Sequence, residues 1–82
     1  MAWLPGLLVA FLLAAPADDY LADAQKALDA NQPAAAEPLL RKAIEADPAS
    51  YAAHFNLALS LSLQHKDPEA VSEYRKTLEL KP

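Results

Sequence analysis

The chain copies itself at an offset of 34 residues. Leu40-Arg41-Lys42-Ala43-Ile44-Glu45-Ala46-Asp47-Pro48 lies over Tyr74-Arg75-Lys76-Thr77-Leu78-Glu79-Leu80-Lys81-Pro82, and upstream Ala24 lies over Ala58 and Ala36 over Ala70. A fixed period of that length marks one supersecondary unit duplicated in tandem, with the copies stacked because neither can bury its apolar face alone. Arrays of this kind bind other molecules far more often than they catalyse, so the period limits function as well as fold.

The first residues stand apart from the repeat. Met1 to Ala17 carries no charged side chain, and Leu7-Leu8-Val9-Ala10-Phe11-Leu12-Leu13-Ala14-Ala15 is an unbroken apolar run that ends in Ala15-Pro16-Ala17 and Asp18-Asp19. An apolar core followed by small-x-small and an acidic start is the pattern of a secretory signal with cleavage after Ala17. The segment before the run, Met1-Ala2-Trp3-Leu4-Pro5, lacks the usual Lys or Arg. An uncleaved anchor formed by residues 2–17 is the alternative, although a membrane span wants about 20 apolar residues and Pro5, Gly6 and Pro16 interrupt this one. A plain core helix of a cytosolic domain is the third reading, and it should show a polar face. Export to the periplasm or to the outside is the expectation. The alanine-rich cleavage site and the lack of an Asn-x-Ser/Thr sequence lean toward a bacterial periplasm. With no cysteine in the chain, neither a lipidated leader nor disulfides are available, and stability must come from packing.

Residues 18–82 hold every charge, 11 acidic against 7 basic for a net of −4, with the signs interspersed. No basic footprint for nucleic acid is present, and no Lys/Arg cluster suits an anionic membrane. Mild acidity bears chiefly on solubility.

Apolar spacing predicts four short helices. The first, about 18–30, aligns Leu21, Ala24, Ala27 and Leu28 and ends at Asn31, which tolerates the left-handed conformation. The second, about 34–46, aligns Leu39, Leu40, Ala43 and Ile44. Pro38 within it suits only a first turn, so a late start or a slight kink is expected. The third, about 50–64, turns Phe55, Leu57, Ala58 and Leu61 inward. The fourth, about 68–80, opens with Asp67 as a capping carboxylate and Pro68 at its first position, and aligns Ala70, Val71, Tyr74 and Leu78. No strand pattern appears. Short connections make successive helices antiparallel, so the fold class is all-α with tandem antiparallel helical hairpins.

Tyr51 to Pro82, through Phe55-Asn56-Leu57-Ala58, Leu61, Ala70, Tyr74 and Leu78-Glu79-Leu80-Lys81-Pro82, resembles a tetratricopeptide repeat, and Ala17 to Pro48 resembles a weaker copy. The division is then a leader over 1–17 and two repeats over 18–82, about 17–50 and 51–82. His54 stands in place of the family's bulky aromatic, His65 in place of its turn glycine and Thr77 in place of a small residue. The resemblance implies that the hairpins stack as a short right-handed α-solenoid, with a concave groove lined by the first helix of each pair, which receives a peptide or a partner's helix. Residue by residue, that groove presents Leu21, Ala22 and Gln25 from the first copy and Phe55, Asn56, Leu59 and Ser62 from the second. A branch of the family clamps a peptide's terminal carboxylate with Lys and Asn. Asn56 fits that pattern, but Leu21 and Gln25 stand where Lys and Asn are required, so the clamp is disfavoured.

Other chemistry is thin. His54 and His65 lack the three or four converging ligands a metal needs, and both read as structural. Ser60, Ser62, a histidine and Asp67 supply the letters of a hydrolytic triad without the sharp turn that presents a nucleophile. Arg41-Lys42 and Arg75-Lys76 are read as cations favouring the ends of their helices. No catalytic residue, metal or cofactor is expected. About three units plus a cap are the usual minimum for a repeat array, so the fourth helix should expose part of its Val71, Tyr74 and Leu78 stripe to further repeats, to a partner or to self-association. The expected function is an exported, non-enzymatic interaction module. The alternatives are the N-terminal repeat segment of a longer exported enzyme or assembly factor, and a spacer without a specific ligand.

Overall fold

The computed structural model describes residues 16–81. Nearly all of the apolar leader-like segment lies outside them. Ala17, the expected last residue of that leader, is the first residue of a helix. Four helices follow one another: α1 (Ala17–Asp29), α2 (Pro33–Ala46), α3 (Tyr51–Leu63) and α4 (Asp67–Leu80). α1 packs on α2, α3 on α4, and α2 joins the two hairpins by packing on α3. The result is an elongated body of 52 × 29 × 17 Å.

The 34-residue period recurs in the backbone hydrogen bonds. At the first tip, Gln32 N–H donates to the Ala27 carbonyl at 2.8 Å and Asn31 N–H to that of Leu28 at 2.9 Å. At the second, Lys66 N–H donates to the Leu61 carbonyl at 2.9 Å and His65 N–H to that of Ser62 at 3.0 Å. This pair of bonds closes a helix when the next residue turns left-handed. Asn31 and His65 do so with φ of 58° and 62°. The duplication is therefore structural as well as textual.

Alanines let the helices approach closely. Ala24, Ala36 and Ala70 are buried together with Leu40, Leu57 and Leu61, while Leu21, Ala27, Leu28, Leu39, Ile44 and Tyr74 pack partly buried around that centre. The Ser50 hydroxyl accepts the Ala53 N–H at 3.2 Å and so caps α3.

Four expectations need correction. Phe55 does not point inward. It is 45% exposed, and its ring meets Tyr74 edge-on with centroids 5.9 Å apart. Its neighbour His54 takes the buried place instead, with ring nitrogens 3.1 Å from a Glu73 carboxylate oxygen and 3.0 Å from the Pro48 carbonyl. α2 does not start late: it begins at Pro33 and continues past Pro38, which is exposed and sits in the second turn. Asp67 is not a cap. It is the first helical residue of α4, Lys66 precedes it as N-cap, and no side chain caps that end. Arg41 serves a lateral pairing and not the end of its helix, since no basic residue lies in the last turn of α2 or α4 and the dipole's influence fades within that turn. The exposed stripe on α4 is as expected at Val71 and Leu78, which are 47% and 64% exposed, whereas Tyr74 is half-buried.

Candidate functional site

The face of α3 turned away from the core follows from its helical period. Ala53, His54, Leu57, Ala58, Ser60 and Leu61 are buried, which leaves Phe55, Asn56, Leu59 and Ser62 at three- and four-residue spacing on the accessible side. These four expected groove residues thus share one accessible strip. Leu63, 49% exposed, extends it by one step from Leu59 and was missed, although the same i, i+4 spacing could have found it. Apart from Asn56 and Ser62 the strip is apolar, and among the described residues Asn56 makes no side-chain hydrogen bond.

The first-copy residues are less uniform. α1 adjoins α3, with Ala22 and Gln25 exposed and Leu21 half-buried against the core. The Gln25 amide donates to the Asp29 carboxylate at 3.0 Å, an internal contact one helical turn away. None of Leu21, Ala22, Gln25, Phe55, Asn56, Leu59 or Ser62 supplies a cation, so a peptide carboxylate would find no charge partner among them. The Ser60 hydroxyl is buried and donates to the Pro33 carbonyl at 2.6 Å, which ties it to the joint between hairpins and not to a histidine. Among the described residues no group of three or more metal-ligating side chains converges, and no helix is long and apolar enough to cross a membrane.

A polar node fixes the second hairpin to the first. The Glu37 carboxylate of α2 accepts from Gln64 Nε2 at 2.9 Å, Lys66 Nζ at 3.1 Å and Arg41 at 3.0 Å, and the same guanidinium reaches Glu69 of α4 at 3.4 Å. Burial raises the Glu37 carboxyl, but the hydrogen bonds from Gln64, Lys66 and Arg41 outweigh it and hold the group below the usual glutamate range. The unfolded chain therefore takes up this proton first as pH falls. The node's contribution is complete above the ordinary glutamate pKa of about 4.3 and is lost as pH drops through the folded value. Glu37→Gln should cost about 1 kcal/mol at pH 7, and the gap from wild type should close on acidification. Urea midpoints at pH 7 and pH 3.5 would measure this; a gap that stays constant would show that the carboxylate's charge contributes nothing.

A family model for the tetratricopeptide repeat matches residues 27–82. That is well over half of the chain, which belongs to the tetratricopeptide repeat family. Repeats of this family generally mediate protein–protein interaction and are typically non-catalytic. No curated protein and no solved structure matches the chain.

Proposed function

We propose that the chain is an exported, non-enzymatic docking module whose α1/α3 face receives an apolar segment of a partner protein. The observation that carries this reading is the strip on α3, where Phe55 and Leu63 are 45% and 49% exposed around Leu59. Apolar side chains lined up on the accessible side of a repeat helix, with the Lys81 ammonium over the Tyr51 ring at one end as the cation beside them, suit a mainly apolar peptide segment better than a carboxylate terminus. Contiguous exposed apolar surface of this kind marks interaction sites. Family membership supports the general role, and the charge-free run up to Ala17 supports export.

A photo-crosslinker placed at Leu59 in the native host tests the groove. We expect a discrete adduct that fades when Phe55 and Leu63 are both changed to alanine, and no such adduct from the same probe at Lys42 on α2. Equal labelling from both positions would sink the reading. Intact mass of the protein from that host tests export separately, through loss of residues 1–17.

A further inference from the structure

The two ends of the stack differ in chemistry, and the internal repeat makes the difference measurable. In the first copy, the outer side of α2 is covered by α3: Leu40 is buried, Ile44 packs partly buried, and Glu37 is engaged by Gln64 and Lys66. The counterparts of these residues 34 positions on are Tyr74, Leu78 and Val71. Leu78 and Val71 lie open, at 64% and 47% exposure, and Phe55 extends the patch through its ring contact with Tyr74. Arg75, counterpart of the doubly paired Arg41, has no ion-pair partner among the described residues.

The opposite end is built differently. The α3 positions Ala53, Leu57 and Ser60, all buried at the joint, correspond to Asp19, Asp23 and Lys26 on α1, all exposed. Stacking a second molecule in the direction of the repeat would set Leu78 and Val71 against those charges, and desolvating unpaired carboxylates on an apolar patch is costly. Head-to-tail growth is therefore blocked.

We propose that this protein forms a closed two-fold dimer through α4, with the two α4 helices antiparallel. Charge along α4 is self-complementary in that arrangement. Its first half carries Asp67, Glu69 and Glu73, the last two also held within the chain by Arg41 and His54, while Arg75 and Lys76, with Lys81 just past its end, make its second half predominantly basic. The apolar stripe is self-complementary as well, since Val71 and Leu78 are equidistant from the midpoint between Tyr74 and Arg75. A two-fold axis there brings Val71 to the partner's Leu78, Tyr74 to the partner's Arg75, and Lys81 toward the partner's Asp67. A parallel pair would set like charges together. An isologous contact uses up both patches and closes, so assembly stops at two. Phe55 borders both this patch and the α1/α3 face, but Val71 and Leu78 belong to the α4 patch alone, so tests placed there report on the dimer and not on partner docking.

The chain has no cysteine, so single introduced thiols report on geometry directly. Full-length Val71→Cys and Leu78→Cys proteins are mixed and mildly oxidised, and their disulfides are mapped by mass spectrometry. The mixed 71–78 product should exceed both like pairs. Sedimentation velocity of the full chain should show a concentration-dependent dimer and nothing larger. Leu78→Glu, at a site exposed enough to keep the fold by circular dichroism, should weaken the dimer at least about tenfold, or about 1.4 kcal/mol. Any of three results would overturn the proposal. One is a monomer at concentrations up to about 1 mM. Another is a crosslink between the Leu78→Cys and Asp23→Cys proteins that outweighs the 71–78 product. The third is a dimer indifferent to Leu78→Glu.

Discussion

Leu40→Ala is expected to leave little folded protein at room temperature. Leu40 is fully buried on α2, the helix that contacts both α1 and α3, so a cavity there loosens both faces of the joint at once. Removing a buried leucine side chain costs about 2–5 kcal/mol. A domain of this size holds only about 3–10 kcal/mol, at roughly 0.05–0.15 kcal/mol per residue. The same truncation at Leu78, 64% exposed, should cost no more than about 0.5 kcal/mol in the monomer. Urea titrations followed by far-UV circular dichroism, at a concentration too low for association, would compare the two. Equal losses would mean that the core is not centred on α2.

The second large effect runs the other way. Pro38 lies five residues after Pro33, inside a helix that continues to Ala46. It withholds the N–H that would bond the Ala34 carbonyl, and its ring crowds that same carbonyl. Ala34 and Pro38 are both exposed, so water can serve the orphaned oxygen and part of the cost is relieved. Proline is about 3 kcal/mol worse than alanine in a helix interior, and Pro38→Ala should recover about 1–3 kcal/mol of that. In a domain this small each kcal/mol raises Tm by about 4–8 °C. A thermal scan without any upward shift would mean that proline's effect is offset elsewhere, for example by a stiffer unfolded chain.

Much of the fold was legible because its signals are local or periodic. The alanines at 24, 36, 58 and 70 fall at matching places in both copies, and all are buried. Asn31 announced a left-handed reversal, and His65 repeats it at the same register. What escaped the sequence depended on neighbours far along the chain. Phe55 looks like core by composition, yet the residue one step back is the buried one, because Glu73 and the Pro48 carbonyl both meet the His54 ring. Arg41 looked like a helix-end cation until Glu69, 28 residues away, came within 3.4 Å. The Glu37 node joins α2 to Gln64 and Lys66, and no spacing rule links those positions. For the candidate site, the expected residues of α3 do share a strip, whereas Leu21 is partly taken up by packing and Gln25 by Asp29.

Neither hairpin tip uses glycine. An L-residue held left-handed costs about 1–2 kcal/mol, a penalty that asparagine escapes more readily than histidine because its short amide can bond locally. With φ of 58° at Asn31 and 62° at His65, the reversals match in shape but not in ease. The turn between α3 and α4 carries the larger backbone penalty, and the bonds from Gln64 and Lys66 to Glu37, on either side of His65, clasp it shut.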